Sequence, residues 1–166
     1  MLKQHHTLSS HFLVRRCLAL ALIVPIAIGI VSLATGGAAD AQTSLYDRLG
    51  GLKGITVVVD DFIDSLVVNE TLNQNPAINA GRKSSPAPYL KFQVSQLVCE
   101  VAGGPCKYTG AGMKPSHAHL NISENEWTVM AAIFKKSLDK FKVPAAEQNA
   151  LFEIVGKTKS DIVVRK

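Results

Sequence analysis

Two histidines, His117 and His119, are the residues of this sequence whose type and spacing most directly suggest chemistry. The other three histidines lie in the first 41 residues, which have the character of a targeting segment. A neutral imidazole is a common ligand of metal ions and the usual axial ligand of haem iron. Composition alone favours a plainer interpretation, in which both side chains are surface residues. The surrounding residues must therefore decide between the two.

The two cysteines outside the targeting segment, Cys99 and Cys106, leave several interpretations open. Export would permit a disulfide between them, closing a small loop that contains two glycines and a proline. Two reduced thiols fit the sequence equally well. A small metal site that combines a thiolate with His117 and His119 is an alternative. Histidines two apart do not share a helix face, however, and no second cluster supplies the remaining ligands.

The first 41 residues are organised like an export signal. Three basic residues precede an apolar run at 17–34, and Ala-Asp-Ala at 39–41 fits the small-x-small cleavage rule. We therefore predict a signal segment over residues 1–41 and one domain over residues 42–166, exported to a periplasm of the Gram-negative type. Since the apolar run is about 18 residues long, an uncleaved anchor in the inner membrane is the alternative.

The charge of the chain argues against a nucleic-acid partner. The formal net charge is +5, and without residues 1–41 the chain keeps 15 basic and 12 acidic residues, a net charge of +3. The lysines are scattered, whereas a nucleic-acid-binding domain presents a basic patch or stripe. The exported part has a normal size for one domain with its own core, and we expect it to be a monomer.

Hydrophobic spacing predicts helices in the first half of the exported domain. A short turn over residues 44–49 ends at a double glycine, and apolar residues at steps of three and four predict a helix over 52–68. Three consecutive valines make a strand the competing interpretation, but two adjacent aspartates disfavour it. Residues 69–88 contain four asparagines, three prolines and a glycine, so we predict a helical turn near 70–74 followed by irregular chain.

The second half of the domain continues the helical pattern. A helix that begins at Tyr89 ends before the Gly-Gly-Pro at 103–105, and residues 113–119 form at most two turns. A capping box with Ser123 at its start opens a long helix that reaches Phe141, and a proline opens the last helix. The predicted fold class is all-α, with about four substantial helices.

Five segments of the chain occur in the order found in one globin family: SLYDRLGG, VVDDF, GGPCKYTG, MKPSH and LDKFKVP. Over about residues 44–164 the sequence resembles the truncated haemoglobins of the first group. The most specific stretch is GGPCKYTGAGMKPSH, with its double glycine, Tyr-Thr-Gly turn and Met-Lys-x-x-His spacing. The resemblance implies a two-over-two helical sandwich around haem, preceded here by the N-terminal signal segment.

The resemblance further implies a haem site with His117 as the proximal ligand of the iron. His119 would point away from the iron, and Lys114 would meet a haem propionate. Because the chain has no Cys-x-x-Cys-His motif, the implied cofactor is haem b, held without thioether bonds. The distal side would be formed by Phe62, Ile63, Leu90, Gln93, Val94 and Leu97. The proximal and rear walls would be formed by Tyr108, Met113, Ile122, Trp127 and Met130.

The distal side departs from the family pattern. Ile63 stands where many relatives have a tyrosine whose hydroxyl hydrogen-bonds bound oxygen, and Val94 stands where a glutamine is often found. The aromatic residue that usually wedges against haem has no clear counterpart in residues 75–88. Gln93 could reach into the pocket, although a solvent-facing side chain is the simpler expectation. We therefore expect a mostly apolar pocket and faster oxygen loss than in tyrosine-bearing relatives, since the missing hydrogen bond contributes about 1–3 kcal/mol.

The function implied by the resemblance is the binding of oxygen, nitric oxide or carbon monoxide at haem iron, or electron transfer with an unknown donor. A small His/Cys metal-binding protein and a globin-like interaction module without haem are the alternatives. No paired carboxylates lie in the implied pocket, and two histidines allow little scope for a Ser/His/Asp set. Any catalysis, such as nitric-oxide dioxygenation or weak peroxidase activity, would come from the haem with an external reductant.

Overall fold

The structure is a computed structural model that describes residues 43–165, so the predicted signal segment lies outside the described residues. The described chain is almost entirely helical, which confirms the all-α prediction. Its elements are α1 (Leu45–Arg48), α2 (Gly51–Val67), α3 (Glu70–Asn73), α4 (Pro76–Ser84), α5 (Ala87–Val101), α6 (Met113–His117), a 3-10 turn (Ala118–Leu120), β1 (Ile122–Ser123), α7 (Glu124–Lys140), α8 (Ala145–Lys157), α9 (Lys159–Ile162) and β2 (Val163–Arg165).

Helix α2 forms the centre of the fold and packs on both α5 and α7. The helical interpretation of residues 52–68 is confirmed: Ile55, Val59 and Ile63 recur every fourth residue and are all buried. The two glycines at the start of α2 are required for the turn into that helix. Gly50 and Gly51 have φ of 82° and 67°, a left-handed conformation that other residues rarely adopt.

Three groups of apolar side chains make up the core. The α2/α5 cluster is built on Ile55, Val59, Ile63 and Cys99. The α7/α9 cluster is built on Ile122, Trp127 and Ile162. The α7/α8 cluster is built on Phe134, Leu138 and Leu151. The first two share no residue, and the third connects them, because Phe62 packs in the first and third clusters and Val155 in the second and third.

The prediction of irregular chain after residue 74 is wrong, because residues Pro76–Ser84 form α4. Asn75 caps this helix: its side-chain oxygen accepts hydrogen bonds from the backbone N–H groups of Ala77 (2.9 Å) and Ile78 (3.4 Å). Pro76 occupies the first helical position, where its missing N–H is not needed. Two strong local signals thus outweigh an unfavourable composition.

Helix α5 starts two residues before the predicted Tyr89, with Pro88 tolerated in its first turn. The predicted capping box is present at the start of α7, where Ser123 and Glu126 bond reciprocally. That helix ends at Lys140, so Phe141 lies beyond it and is exposed. The short parallel pair of β1 and β2 was not predicted. Among the described helices, none combines the length and apolar character needed to cross a bilayer.

Candidate functional site

His117 is the last residue of α6 and is half-buried. Its Nδ1 lies 2.8 Å from the carbonyl oxygen of Met113, one helical turn earlier. Because a carbonyl oxygen only accepts hydrogen bonds, Nδ1 carries the proton in the neutral ring and Nε2 keeps its lone pair. Burial lowers the pKa of His117, which favours this neutral form. No hydrogen-bond partner of Nε2 is found between residues 43 and 165, so this nitrogen can act as a metal ligand.

The turn that follows His117 is held by α4. The side-chain amide of Asn75 donates a hydrogen bond of 3.0 Å to the carbonyl oxygen of Leu120. The Leu120 side chain packs so closely on Gly81 that a Cβ there would lie 2.6 Å from its Cδ2 atom. Sequence analysis missed both contributions, although the Asn-Pro pair at 75–76 is a recognisable helix-start signal.

His119 and Lys114 are more exposed to solvent than His117. His119 belongs to the 3-10 turn and is exposed, and Lys114 is exposed on α6. Of these three side chains, only His117 is half-buried, and its Nε2 has no hydrogen-bond partner among the described residues.

Four of the residues predicted for the proximal and rear walls come together in the α7/α9 cluster. Ile122 and Trp127 are buried there, and Met113 and Met130 pack against them. Tyr108 is not a member of that cluster. Its hydroxyl donates to the carbonyl oxygen of Ala111 (2.8 Å), and burial, followed by the influence of Tyr89, raises its pKa. Tyr108 thus braces the loop that leads from α5 to α6.

The residues predicted for the distal side lie on α2 and α5. Phe62, Ile63, Leu90 and Val94 all belong to the α2/α5 cluster, and Leu97 is half-buried one turn further along α5. These five side chains are all hydrocarbon. The structure therefore brings four of these residues together in one apolar cluster, and Leu97 lies on the same helix as Leu90 and Val94.

Helix α5 buries little of its apolar surface against the rest of the described chain. Of its 15 residues only Ser95 and Cys99 are buried. Leu90, Val94 and Leu97 remain partly exposed, and Tyr89 and Phe92 are 49% and 56% exposed. An apolar helix face without full cover suits a flat apolar ligand, since burying such surface contributes roughly 25 cal/mol per Å². The residues present thus fit a haem group.

Gln93 is the polar exception on this helix. Its side-chain Nε2 lies 2.9 Å from the hydroxyl oxygen of Tyr89, and its Oε1 is buried. That Oε1 is the one buried side-chain nitrogen or oxygen without a hydrogen-bond partner in the part of the chain that the structure describes. Gln93 is therefore not simply a solvent-facing residue, because its Oε1 atom is buried while the side chain as a whole is half-buried.

Cys99 and Cys106 form a disulfide, which resolves the choice that the sequence left open. Cys99 is fully buried in the α2/α5 cluster, and Cys106 packs against that cluster from the loop after α5. Gly104 allows the loop to close, because a Cβ there would lie 2.4 Å from Tyr46 Cδ2 and 2.8 Å from the Cys99 carbonyl oxygen. The bond removes both sulfurs as thiolate ligands. Within residues 43–165, no three His, Cys, Asp or Glu side chains are grouped to hold a metal ion.

Known proteins are similar to this chain in sequence and in fold. Residues 44–164 match the model of the bacterial-like globin family. A group 1 truncated haemoglobin of Mycolicibacterium paratuberculosis is 30% identical over 114 residues, which cover 68% of this chain and 76% of that protein.

Two solved structures have a similar fold. A truncated haemoglobin from Tetrahymena pyriformis in its Fe(III) form gives a TM-score of 0.64 at 19% identity, covering 74% of this chain and all of that one. The 2/2 haemoglobin of Synechococcus sp. PCC 7002, in the cyanomet state with covalently attached haem, gives 0.63 at 19% identity over 73% of this chain and 98% of that one. The predicted two-over-two helical fold is thereby confirmed. With the family model spanning most of the chain, this protein belongs to the bacterial-like globins as a truncated haemoglobin, a class of haem proteins that bind diatomic gases.

Proposed function

We propose that this truncated haemoglobin holds haem b non-covalently, with His117 Nε2 as the proximal ligand of the iron, and binds oxygen or another diatomic gas on the distal side. Bound haem would supply the iron at which the gas is held, and His117 would hold that iron. The rest of the function then depends on how the side chains of this chain orient, enclose and polarise the haem and the gas.

The observation that carries the proposal is the hydrogen bond between His117 Nδ1 and the Met113 carbonyl oxygen. Metal-ligating histidines usually donate their second ring nitrogen to such an acceptor, which fixes the tautomer and the ring orientation and raises the basicity of the ligand. The bond spans one turn of α6, so it needs no other element to form. His117 is thus prepared for a metal before any metal arrives.

Non-covalent attachment is supported by the cysteines. A thioether bond needs a free thiol, and Cys99 and Cys106 are bonded to each other. The Synechococcus relative carries covalently attached haem, so the question needs a direct measurement. We expect acid extraction to remove all of the haem, and the mass of the denatured polypeptide to match the haem-free chain.

The distal side chains suggest weak retention of oxygen. Ile63 and Val94 occupy the positions where relatives often have a hydrogen-bonding tyrosine and glutamine, and both pack in the hydrocarbon of the α2/α5 cluster. Carbon monoxide depends less on such hydrogen bonds than oxygen does. We therefore propose a monomeric gas-binding protein that releases oxygen faster than relatives with both the tyrosine and the glutamine, and that needs an external electron donor for any redox turnover.

Export to an oxidising compartment is part of the proposal. It is supported by the predicted signal segment over residues 1–41 and by the disulfide, since such bonds persist outside the reducing cytosol. N-terminal sequencing of the protein purified from a periplasmic extract tests it. A start at Gln42 supports cleavage, and an intact first residue in a membrane fraction would indicate the anchored alternative.

The decisive experiment for haem is reconstitution of His117→Ala beside His119→Ala. The purified chain should develop a Soret band with hemin, His117→Ala should lose it, and His119→Ala should keep it because that side chain is exposed. A wild-type chain that stays colourless would refute the proposal. In that case, retention of zinc after dialysis would favour a metal protein that uses the histidines without the bonded cysteines, and its absence a haem-free interaction module.

A further inference from the structure

We propose that Gln93, oriented by the Tyr89 hydroxyl, is the distal hydrogen-bond donor to the gas ligand, in place of the tyrosine and glutamine that Ile63 and Val94 replace. This inference rests on the proposed function. Gln93 would thereby contact the gas ligand directly, whereas the resemblance implies only that it lines the pocket.

Gln93 lies on the same row of α5 as two leucines predicted for the distal side. Leu90 lies three residues before it and Leu97 four residues after it, so the three side chains form one row on the helix. Leu90 packs in the α2/α5 cluster, which contains the distal residues Phe62 and Ile63. The amide of Gln93 therefore extends from the row of α5 that borders the apolar distal surface.

The Oε1 atom of Gln93 is buried and has no hydrogen-bond partner among residues 43–165, whereas Nε2 donates to the Tyr89 hydroxyl at 2.9 Å. A buried polar atom without a partner is unfavourable, and in native proteins such atoms often mark a site that something else completes. A ligand that arrives on the distal side would supply the missing partner.

Either the oxygen or the NH₂ group of the Gln93 amide can occupy the buried position. The oxygen and nitrogen of a glutamine amide are assigned from their hydrogen bonds rather than from their shape. If the Tyr89 hydroxyl donates to Oε1, the NH₂ group occupies the buried position and becomes a donor. A tyrosine hydroxyl can donate as readily as it accepts, so this orientation keeps the 2.9 Å bond and presents a donor to the ligand.

The other residues predicted for the distal side offer no hydrogen-bond donor. Phe62, Ile63, Leu90, Val94 and Leu97 carry no polar side-chain atom. Oxygen held at the haem would accept a hydrogen bond well, whereas carbon monoxide would accept one poorly. One amide donor in a hydrocarbon pocket would thus favour oxygen over carbon monoxide.

The test compares Gln93→Leu with Gln96→Leu, which makes the same substitution three residues further along the same helix. In haem-loaded protein, Gln93→Leu should raise the oxygen dissociation rate about tenfold, as expected for loss of one hydrogen bond to a partly charged acceptor. Its carbon monoxide dissociation rate should change less than twofold, and Gln96→Leu should match wild type for both gases. Tyr89→Phe, which leaves the amide without its orienting partner, should fall between Gln93→Leu and wild type.

Two further measurements separate this role from others. The rate of haem loss to an acceptor globin should be unchanged in Gln93→Leu, and the haem-free variant should unfold at the same or a higher temperature than wild type, because a buried unpaired amide has been removed. Faster haem loss with an unchanged oxygen dissociation rate would overturn the proposal and assign the amide to the porphyrin carboxylates. Equal oxygen rates for Gln93→Leu and Gln96→Leu would also overturn it. If the wild-type chain takes up no haem, the proposed function itself is refuted. If only the Gln93 proposal fails, the wild-type chain still takes up haem.

Discussion

The proposed distal side of the site is built from two long helices, whereas the proposed proximal side is built from short pieces. On the distal side α2 and α5 enclose Ile55, Val59, Ile63 and Cys99 in one cluster. On the proximal side His117 ends the five-residue α6, a 3-10 turn follows, and Met113 of α6 packs in the α7/α9 cluster. A long helix pair therefore stabilises the first side, and contacts with distant elements stabilise the second.

This difference predicts where substitutions act. A helix pair with a buried row loses stability in proportion to the side-chain volume removed. A short element held by a few polar bonds and one large side chain loses its position when any of them is lost. The predictions below test this difference, beginning with the largest effect.

Trp127→Ala should be the most damaging change, because Trp127 is the largest side chain buried in the α7/α9 cluster beneath α6. We expect the free energy of unfolding to fall by about 3–5 kcal/mol. Urea titration followed by circular dichroism measures it. Trp127→Phe is the matched control and should lose clearly less, since most of the cluster stays filled. Equal losses would mean that the proximal side does not depend on this ring.

Removal of the disulfide tests the distal side. Cys99→Ala with Cys106→Ala should lower the free energy of unfolding by about 2–3 kcal/mol, the value for a loop of this length. Dithiothreitol should lower wild-type stability by a similar amount and leave the double variant unchanged. If reductant destabilised both proteins equally, the bond would not be the cause.

Ile63→Tyr should convert the distal side toward the family pattern. A hydroxyl at this buried position would add a donor, and we expect the oxygen dissociation rate to fall about tenfold in stopped-flow measurements. Ile63→Phe adds nearly the same volume without the hydroxyl. An identical slowing in both variants would indicate that the larger ring blocks ligand escape, and that no hydrogen bond is formed.

Asn75→Ala tests how the proximal turn is held. Its side chain caps α4 and donates to the Leu120 carbonyl oxygen, so we expect a loss of about 1–2 kcal/mol in unfolding free energy and faster haem dissociation. Asn69→Ala removes only the cap of α3, where Asn69 accepts from the Leu72 N–H. It should lower stability by a similar or smaller amount and leave haem dissociation unchanged. Faster haem dissociation in both variants would show that general destabilisation is responsible.

The smallest effect concerns pH. Burial lowers the pKa of His117 in the folded protein, so as the pH falls below about 6.5 the unfolded chain takes up the proton first and stability declines. His117→Gln should flatten the dependence of stability on pH for the haem-free protein below about pH 6.5. Hydrogen bonding to Lys140 and Ser137 lowers the pKa of Asp61, so its contribution is lost only at more acidic pH. Parallel profiles for wild type and His117→Gln would contradict the assignment.

Much of the helical framework could be predicted from local patterns. The buried row of Ile55, Val59 and Ile63 and the capping box at Ser123 are each complete within a few residues, so the sequence contains all the information they need. Helix α4 was missed because its composition was weighed more heavily than its Asn-Pro start. That error could have been avoided.

The remaining features depend on contacts between distant residues. Whether Cys99 meets Cys106 is decided by how closely the loop folds back over Tyr46 and Gly104. Whether Gln93 Oε1 is buried depends on how α5 is rotated about its own axis where it packs on α2. The spacing of the apolar residues predicts that rotation only to within about one residue. His117 was singled out through the resemblance of the sequence to a family, and its hydrogen bond to Met113 gives a physical reason for the role that we propose.

The parallel pairing of Ile122 with Val163 has a consequence for the order of folding. The strand after the proximal turn finds its partner some forty residues later, and α6 packs on α9, near the last residues of the chain. During synthesis or translocation the earlier helices can assemble while this partner is still missing. We therefore expect the polypeptide to become ready for its prosthetic group only when α9 and β2 have emerged.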